Sequence, residues 1–472
     1  MSLPTDSKPT VLIVGAGLGG LMLGALLEKQ DVPYTIFERS AVVKPLGSCM
    51  SIGAASLPAF EQLAIYDDIL AATKPWTHTE LHKETLEPHP PHDFRPVEEY
   101  TGYKQYMIAR PKFYEILLSL VPAHKIHFGK RVLNITEEDG KAIVHTADNS
   151  KYEGDIVVGA DGAYSAVRQR MYDQLKMKGE LPKTDYEELP FSCTSLVGQT
   201  KPLDPEEFPI VKEQLSKFRT VLGNNKPYSW VTANTAQNTV TWMVIEHLSK
   251  KTSKVAMEQR FRNNDNSEWG AIPAQAMCDE TRDFPIFLEK GKRHTLGDLY
   301  DQTPKESISK VMLEEKVFST WYSGRIVLLG DACHKLHPSG GHGAVTAMHD
   351  AIAFANLLYA LPSKTSTDIT RIFQEYKEER LPAVMESFKK SQLLSKNMEK
   401  GLVGAFFLYA TTRMPLWMWK LALVKMSRFR PQIGFLEPTA VKGTIVPIAS
   451  PSEKKARAVY EQRKQHVQTT TL

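Results

Sequence analysis

The sequence predicts an α/β protein in which a parallel sheet with flanking helices is interrupted by an antiparallel-sheet domain and completed by C-terminal helices. Short apolar runs at 10–14 (TVLIV), 155–158 (DIVV) and 325–329 (RIVLL) each stop at a glycine and give way to a helical pattern, as strands buried on both faces of a parallel sheet do. Between residues 189 and 295 the texture changes to alternation, at Ser229 to Ala233 and Thr239 to Ile245, separated by charged, Asn-rich loops, which suits half-buried antiparallel strands. Helical periodicity returns over 344–361 and 368–400.

Composition bounds the answer. The 472 residues carry 58 Lys and Arg against 54 Asp and Glu, a net charge of +4, with 42% hydrophobic and 24% charged residues. Those are globular proportions, which exclude a disordered, collagenous or multi-span membrane chain, and no concentrated basic face suggests nucleic acid. The length allows two or three folding units. Cys49, Cys193, Cys278 and Cys333 stand far apart without a CxxC pair, as reduced intracellular thiols do. Residues 11–27 are nearly uncharged, but Gly15, Gly17, Gly19, Gly20 and Gly24 punctuate them and no small-residue cleavage site follows. They read as strand, turn and helix, so no signal peptide is expected and the location is intracellular, either cytoplasmic or membrane-associated.

The opening is a βαβ unit: strand 10–14, helix 18–29 and strand 34–38 (YTIFE). Between its first strand and helix lies Gly15-Ala16-Gly17-Leu18-Gly19-Gly20, a GxGxxG, and Glu38 ends the second strand. Gly15 permits a tight turn, Gly17 lets backbone approach a pyrophosphate, Gly20 lets helix and strand pack closely, and Glu38 accepts from a ribose hydroxyl. The pattern indicates a Rossmann-like dinucleotide site without separating NAD from FAD.

Two further segments separate them. Gly159-Ala160-Asp161-Gly162-Ala163-Tyr164-Ser165-Ala166-Val167-Arg168, and Gly330-Asp331-Ala332-Cys333-His334 followed by Pro338, Gly341 and Gly343, resemble the second and third motifs of the group A FAD-dependent monooxygenases, the para-hydroxybenzoate hydroxylase-like flavoproteins. All three motifs occur in that family's order over about residues 10 to 400, and Arg430-Pro431-Gln432 with Phe435-Leu436 resembles the tail of its fungal secondary-metabolism members. The resemblance implies that Gly15, Gly17 and Gly20 line the FAD pyrophosphate, that Glu38 holds the adenosine ribose, and that Arg110 reaches the cofactor from a helix start. It further implies that Asp161 meets the pyrophosphate and a transient NADPH or NADH, that Asp331 binds the ribityl chain, and that Ala344 turns its backbone to the flavin ring. Gly47 and Ser51 fall where the family runs its chain past the flavin, in a loop one residue shorter here.

If the loop Pro338 to Gly343 opens a helix near Ala344, its unpaired N–H groups converge on one spot and favour the anionic reduced flavin. His342 replaces the family's frequent Gln, and Val345 stands where Asn is common. Cys333, His334, His337, His342 and His349 crowd this segment with spacings a zinc site could use, but the Gly-Asp and Pro-x-x-Gly-x-Gly elements already have a role, so no metal is expected. The chain has no Gly-x-Ser-x-Gly elbow, no HExxH, no lysine-bearing P-loop and no second GxGxxG. One bound FAD with a visiting nicotinamide is therefore expected.

The expected organisation is an FAD domain at 1–185 and 305–400, a substrate domain at 186–304 with part of 75–110, and a C-terminal helical cap or tail at 401–472. Leu402 to Tyr409 is apolar on every face, and Leu416 to Val424 carries two tryptophans ahead of basic residues. The preferred reading is a buried helix on the substrate domain; the alternative is a membrane-surface contact through 401–425. The resulting expectation is a monooxygenase that uses NAD(P)H and O2 to hydroxylate or epoxidise an apolar small molecule. A flavin dehydrogenase, reductase or halogenase of the same fold is the alternative, and a non-enzymatic prenyl-binding carrier ranks below both. No catalytic base is assigned, with Tyr228 and His247 as unplaced candidates.

Overall fold

The computed structural model describes residues 8–43, 49–186, 189, 191–224, 226–248, 271–289, 291–337, 341–396 and 402–470. Its first sheet has six strands in the order Tyr322–Ser323, Ile326–Leu328, Ile156–Gly159, Val11–Val14, Tyr34–Glu38 and Ile126–Phe128. All neighbours are parallel except the Tyr322–Ser323 edge, and Val11 registers with Ile156 on one side and Tyr34 on the other. Every residue of Val11–Val14 is buried, which is why this central strand is apolar without alternation. Helix Leu18–Glu28 crosses helix Gly343–Tyr359 closely enough that a Cβ on Gly19 would come within 2.7 Å of Leu329 and 3.4 Å of Ala347. The first, third and fourth glycines of the opening motif therefore serve packing.

The second sheet has seven strands in the order Ser309–Glu314, Phe191–Gln199, Val240–His247, Tyr228–Asn234, Phe218–Leu222, His78–Lys83 and His92–Asp93. It includes Ser309–Glu314, which follows residue 304 in the chain. Its faces differ. Trp230, Trp242 and Val244 point into a core with Phe284, Ile286 and Leu299, where the indole N–H groups donate to Pro285 O at 2.7 Å and Thr303 Oγ1 at 3.0 Å. The other face carries Ser229, Val231, Ala233, Thr241, Met243, Ile245 and His247, the alternate residues of the same strands. A three-stranded antiparallel sheet of Cys49–Ile52, Gln105–Ala109 and Thr73–Trp76 packs against it through Trp76, Met107 and Ala233.

The C-terminal helices correct the expectation of burial. Leu402–Thr412 and Leu416–Ser427 expose Phe406, Tyr409, Leu416, Trp417, Met418 and Leu421. The second helix is fastened mainly along one line, where Trp419 Nε1 donates to Asp93 O at 2.7 Å, its ring meets His92 and Phe94, and Leu423 and Ser427 are buried, and Lys425 adds an ion pair with Glu386 at 2.7 Å. Other apolar residues of this helix, Leu416, Trp417, Met418 and Leu421, lie off this seam and are exposed. The chain beyond it behaves oppositely. Ile433, Phe435 and Ala456 join the main core, Asn356 Nδ2 donates to Gln432 O at 3.1 Å, and Gly434 N donates to Asn356 Oδ1 at 2.8 Å.

Candidate functional site

The three glycine-marked turns lie at the same end of the first sheet, and each is held by different physics. Gly15 has φ +107°, donates its N–H to Phe37 O at 2.7 Å, and a Cβ there would strike the Ala160 carbonyl. A Cβ on Gly20 would overlap Gly15 O, whereas one on Gly17 would meet nothing within 4 Å. Gly17 is thus bare toward open space at the start of helix Leu18–Glu28, where the first intrahelical donor is Leu21 N, 2.9 Å from Gly17 O. The preceding N–H groups have no intrahelical acceptor and suit an anion. Glu38 is already part of the turn: its carboxylate accepts from Ala16 N at 3.0 Å and Ser40 N at 2.9 Å. The remaining carboxylate lone pairs can take ribose hydroxyls.

At the second turn, Asp161 Oδ2 accepts from Ala166 N at 2.7 Å and Val167 N at 3.2 Å, capping helix Ala166–Met177, while Oδ1 is buried with no partner. Burial raises the pKa of this carboxyl. Gly162 has φ +82°, with open space where a Cβ would project. Arg168, quoted in the motif without a role, bolts this turn to the third: its guanidinium donates to Ala163 O at 2.6 Å and Ala332 O at 2.8 Å and lies 4.1 Å from the Phe318 ring.

The third turn is set by buried charge. Gly330, at φ +61°, donates to Asp350 Oδ2 at 3.1 Å; the same carboxylate accepts from His334 Nε2 at 2.6 Å and from Arg380 Nε at 2.8 Å. Burial opposes the Asp350 charge, but His334 and Arg380 hold its pKa at about 2. Asp331 follows. Burial alone would raise its pKa, yet Lys335, donating at 2.5 Å, with His334 and Arg110, holds it below the usual range. Arg110, the first residue of helix Arg110–Ser119, lines the same cleft, where burial draws its pKa down and Asp331 draws it up. Cys333, His334 and Asp350 lie close enough together for a metal, but Asp350 already accepts from Arg380, His334 and Gly330. His349 belongs elsewhere, 2.9 Å from Ala55 O, with its pKa pushed by burial to about 3.

Helix Gly343–Tyr359 begins beside this turn with His342 as its cap residue. Cβ atoms on Gly341 (φ +63°) and Gly343 would meet nothing within 4 Å, and Thr346 N is the first donor to find an acceptor, His342 O at 2.8 Å. Ala344 therefore sits in the first turn, among N–H groups without intrahelical acceptors. Ser51 is half-buried in the strand next to Gln105–Ala109, registered with Met107. Gly47 and Pro338 lie outside the described residues. The bare glycines, the crowded Gly15 and Gly20, and Asp331 under the electrostatic influence of Arg110 form a cradle that fits a dinucleotide with a ribityl arm.

Beyond the cradle lies the second face of the inserted sheet. Thr241 hydrogen-bonds the Cys49 thiol, whose pKa burial raises to about 11, and His247 acts electrostatically on His337, whose pKa burial and that contact lower to about 4. His247 contacts Ser229 Oγ at 2.9 Å through Nε2 and Cys193 Sγ at 3.5 Å through Nδ1. Tyr228 belongs to the opposite face, packed on Phe284 in the outer core. The two candidate bases thus separate, and only His247 faces the cleft; strand alternation could have told them apart.

The chain matches the FAD binding domain family over residues 8–391. It is 30% identical over 420 residues to the FAD-dependent monooxygenase ausM of Aspergillus calidoustus, covering 85% of this chain and 84% of that protein. With the FAD-dependent monooxygenase atmM of Aspergillus flavus the identity is 27% over 447 residues, covering 90% of this chain and 86% of the relative. Among solved structures, Klebsiella pneumoniae HpxO complexed with FAD and uric acid superposes with a TM-score of 0.67 at 18% identity, covering 89% of this chain and 96% of that one. CtdE in complex with FAD and a substrate gives 0.65 at 17% identity, covering 98% and 100%.

Proposed function

Because this chain belongs to the FAD binding domain family and is an FAD-dependent monooxygenase, we propose that its cradle holds FAD along Gly15, Gly17, Gly20, Glu38, Arg110, Asp161, Asp331 and the helix start at Gly341 to Ala344, and that its substrate is an uncharged, largely apolar molecule. When bound, FAD supplies the chemistry that takes hydride from NADPH or NADH and directs one oxygen atom of O2 to the substrate. The chain's own residues position and shield. The N–H groups opening helix Gly343–Tyr359 favour negative charge on the reduced flavin, and Asp331, charged through Lys335, His334 and Arg110, can accept ribityl hydroxyls.

The observation that carries the substrate class is the cleft-side sheet face. Val197, Val231, Ala233, Met243, Ile245, Val311 and Leu313 lie on it, while the ion pairs of the same strands, Arg219 with Glu80 and Lys310 with Glu246, lie on the other. On these four strands its polar side chains are Cys193, Ser195, Gln199, Ser229, Thr241, His247 and Ser309, with no carboxylate, lysine or arginine among them. A site with apolar walls excludes water around the reacting centre and leaves a carboxylate substrate without a counter-charge. An alkene needs no base, so epoxidation suits this face at least as well as phenol hydroxylation. The test is NAD(P)H-dependent O2 consumption with neutral polycyclic or prenylated compounds against anionic aromatic acids. Stimulation by the neutral set supports the reading, and stimulation by the acids alone overturns it.

The exposed C-terminal helices extend the proposal to a partner. Leu416, Trp417, Met418 and Leu421 stand beside Lys420 and Lys425, and Glu386 is neutralised by Lys390 and Lys425. Aromatic and apolar groups interleaved with cations suit the surface of an anionic bilayer, where an apolar substrate partitions. Among the described residues no helix is long and apolar enough to cross a membrane. Sedimentation of the full chain with anionic but not neutral vesicles is expected, and its absence from both removes this contact.

A further inference from the structure

Glu314 ends the last strand of the inserted sheet and is sealed. It is 1% exposed, and neither carboxylate oxygen has a hydrogen-bond partner. Two charged groups of the cofactor cradle, Lys335 and Asp331, act on it electrostatically. Lys316, two residues on, pairs with Lys335 across a two-residue ladder, and Lys335 acts electrostatically on Glu314, yet it gives its ammonium to Asp331 at 2.5 Å. Burial pushes the Glu314 carboxyl up to about 7, against the pull of Lys335 and with help from Asp331. One ammonium thus stands between two carboxylates, of which Asp331 is the one poised for the ribityl chain.

We propose that Glu314 is a proton-dependent positioning residue for the cofactor: protonated, it leaves Lys335 on Asp331 and FAD is held tightly; ionised, it competes for Lys335 and FAD is held weakly. The direction follows from charge. FAD brings an anionic pyrophosphate to a cleft that already contains Asp331, and a second uncompensated carboxylate beside it raises the cost of binding. By reciprocity, FAD binding draws a proton onto Glu314. The inference rests on the FAD reading of the cradle.

Lys316, in the same ladder, has its ammonium 5.0 Å from the centre of the Phe318 ring. Arg110 and His334 act on Asp331, and His334 is bonded to Asp350. Cys193, on the neighbouring strand, has its thiol pKa raised by burial to about 11 and does not titrate near neutrality. Glu315 is also raised by burial but is hydrogen-bonded to Gln392. It is the neighbour to control for.

The experiment measures FAD affinity of the purified protein by flavin fluorescence from pH 6 to 8.5 in wild type, Glu314→Gln and Glu315→Gln. In wild type and Glu315→Gln the Kd should rise with pH through neutrality, approaching tenfold per pH unit for a single coupled proton. In Glu314→Gln it should stay at the low-pH value throughout. Should that variant fail to fold, calorimetry of FAD binding to wild type in buffers of different ionisation heat gives the same answer, with net proton uptake expected near pH 7.5. A wild-type Kd independent of pH, an unchanged slope in Glu314→Gln, or proton release overturns the proposal while leaving the FAD reading intact. Failure of wild type to bind FAD at any pH overturns both.

Discussion

The two ends of the cofactor cleft are built by opposite means. At Gly15 to Gly20 the fit is steric: Gly15 is fixed by the Ala160 backbone of the second turn, Gly20 by the carbonyl of Gly15, and Gly17 is bare toward the cleft. At Gly330-Asp331 the fit is electrostatic, and Asp350, His334, Arg380, Lys335 and Arg110 converge on one turn from several elements. A steric cradle fails at single positions with an all-or-none character, whereas a charge network fails by degrees and depends on which partner is left behind.

The largest effect should come from Gly15→Ala, where a left-handed φ and the Ala160 backbone both oppose a Cβ, a loss of at least about 3 kcal/mol. Gly17→Ala adds its methyl to open space, so without FAD its melting temperature should match wild type while FAD affinity falls. Equal melting and equal FAD affinity in Gly17→Ala would remove the pyrophosphate from this loop. Next in size is the network: Arg380→Met leaves Asp350 with less neutralisation and should cost about 3–5 kcal/mol. Adding Asp350→Asn should return part of that loss, because the stranded charge goes with it. Strict additivity in denaturant melts would contradict the coupling.

Acid and base should separate further groups. Asp350, lowered in the folded protein, contributes stability that is present above pH 3.8 and lost as pH falls through about 2. Glu314, raised, contributes stability that is present below pH 4.5 and lost as pH rises through about 7, at most about 3 kcal/mol. Glu314→Gln should flatten that decline in a pH series of melts. The smallest contrast lies on one C-terminal helix: Trp419→Ala loses the bond to Asp93 and should lower the melting temperature, whereas Trp417→Ala, 63% exposed, should change it within about 0.5 kcal/mol. The reverse order would mean that the helix docks by its other face.

What was legible in the sequence follows the same division. The parallel strands and their glycine turns were readable because the left-handed φ of Gly15 and the approach of Gly20 to the Gly15 carbonyl are local and demand glycine, and Gly17 stands in the same short motif. The network around Asp350 was not, since its members are spread from Gly330 to Arg380 and no local pattern marks two side chains as sharing one carboxylate. Arg168 stood in the motif, but its span from Ala163 to Ala332 is a tertiary fact. The C-terminal helices misled because apolarity on every face indicates what a helix could bury, not how much neighbouring surface exists to cover it. Glu314 carries no sequence signal at all: its environment is made by the Lys316–Lys335 ladder.

The most direct test of the whole account is a titration of FAD into purified wild-type protein and Asp331→Ala, followed by visible absorbance and by melting temperature. Wild type should hold one FAD per chain with a flavin spectrum shifted from that of free FAD. Asp331→Ala, altered at a cleft residue and not in the apolar core, should melt near wild type without FAD, lose the bound flavin, and lack the rise in melting temperature that FAD gives wild type. A wild-type protein that melts cooperatively yet stays colourless in excess FAD, or an Asp331→Ala variant that retains FAD with unchanged affinity, would contradict it.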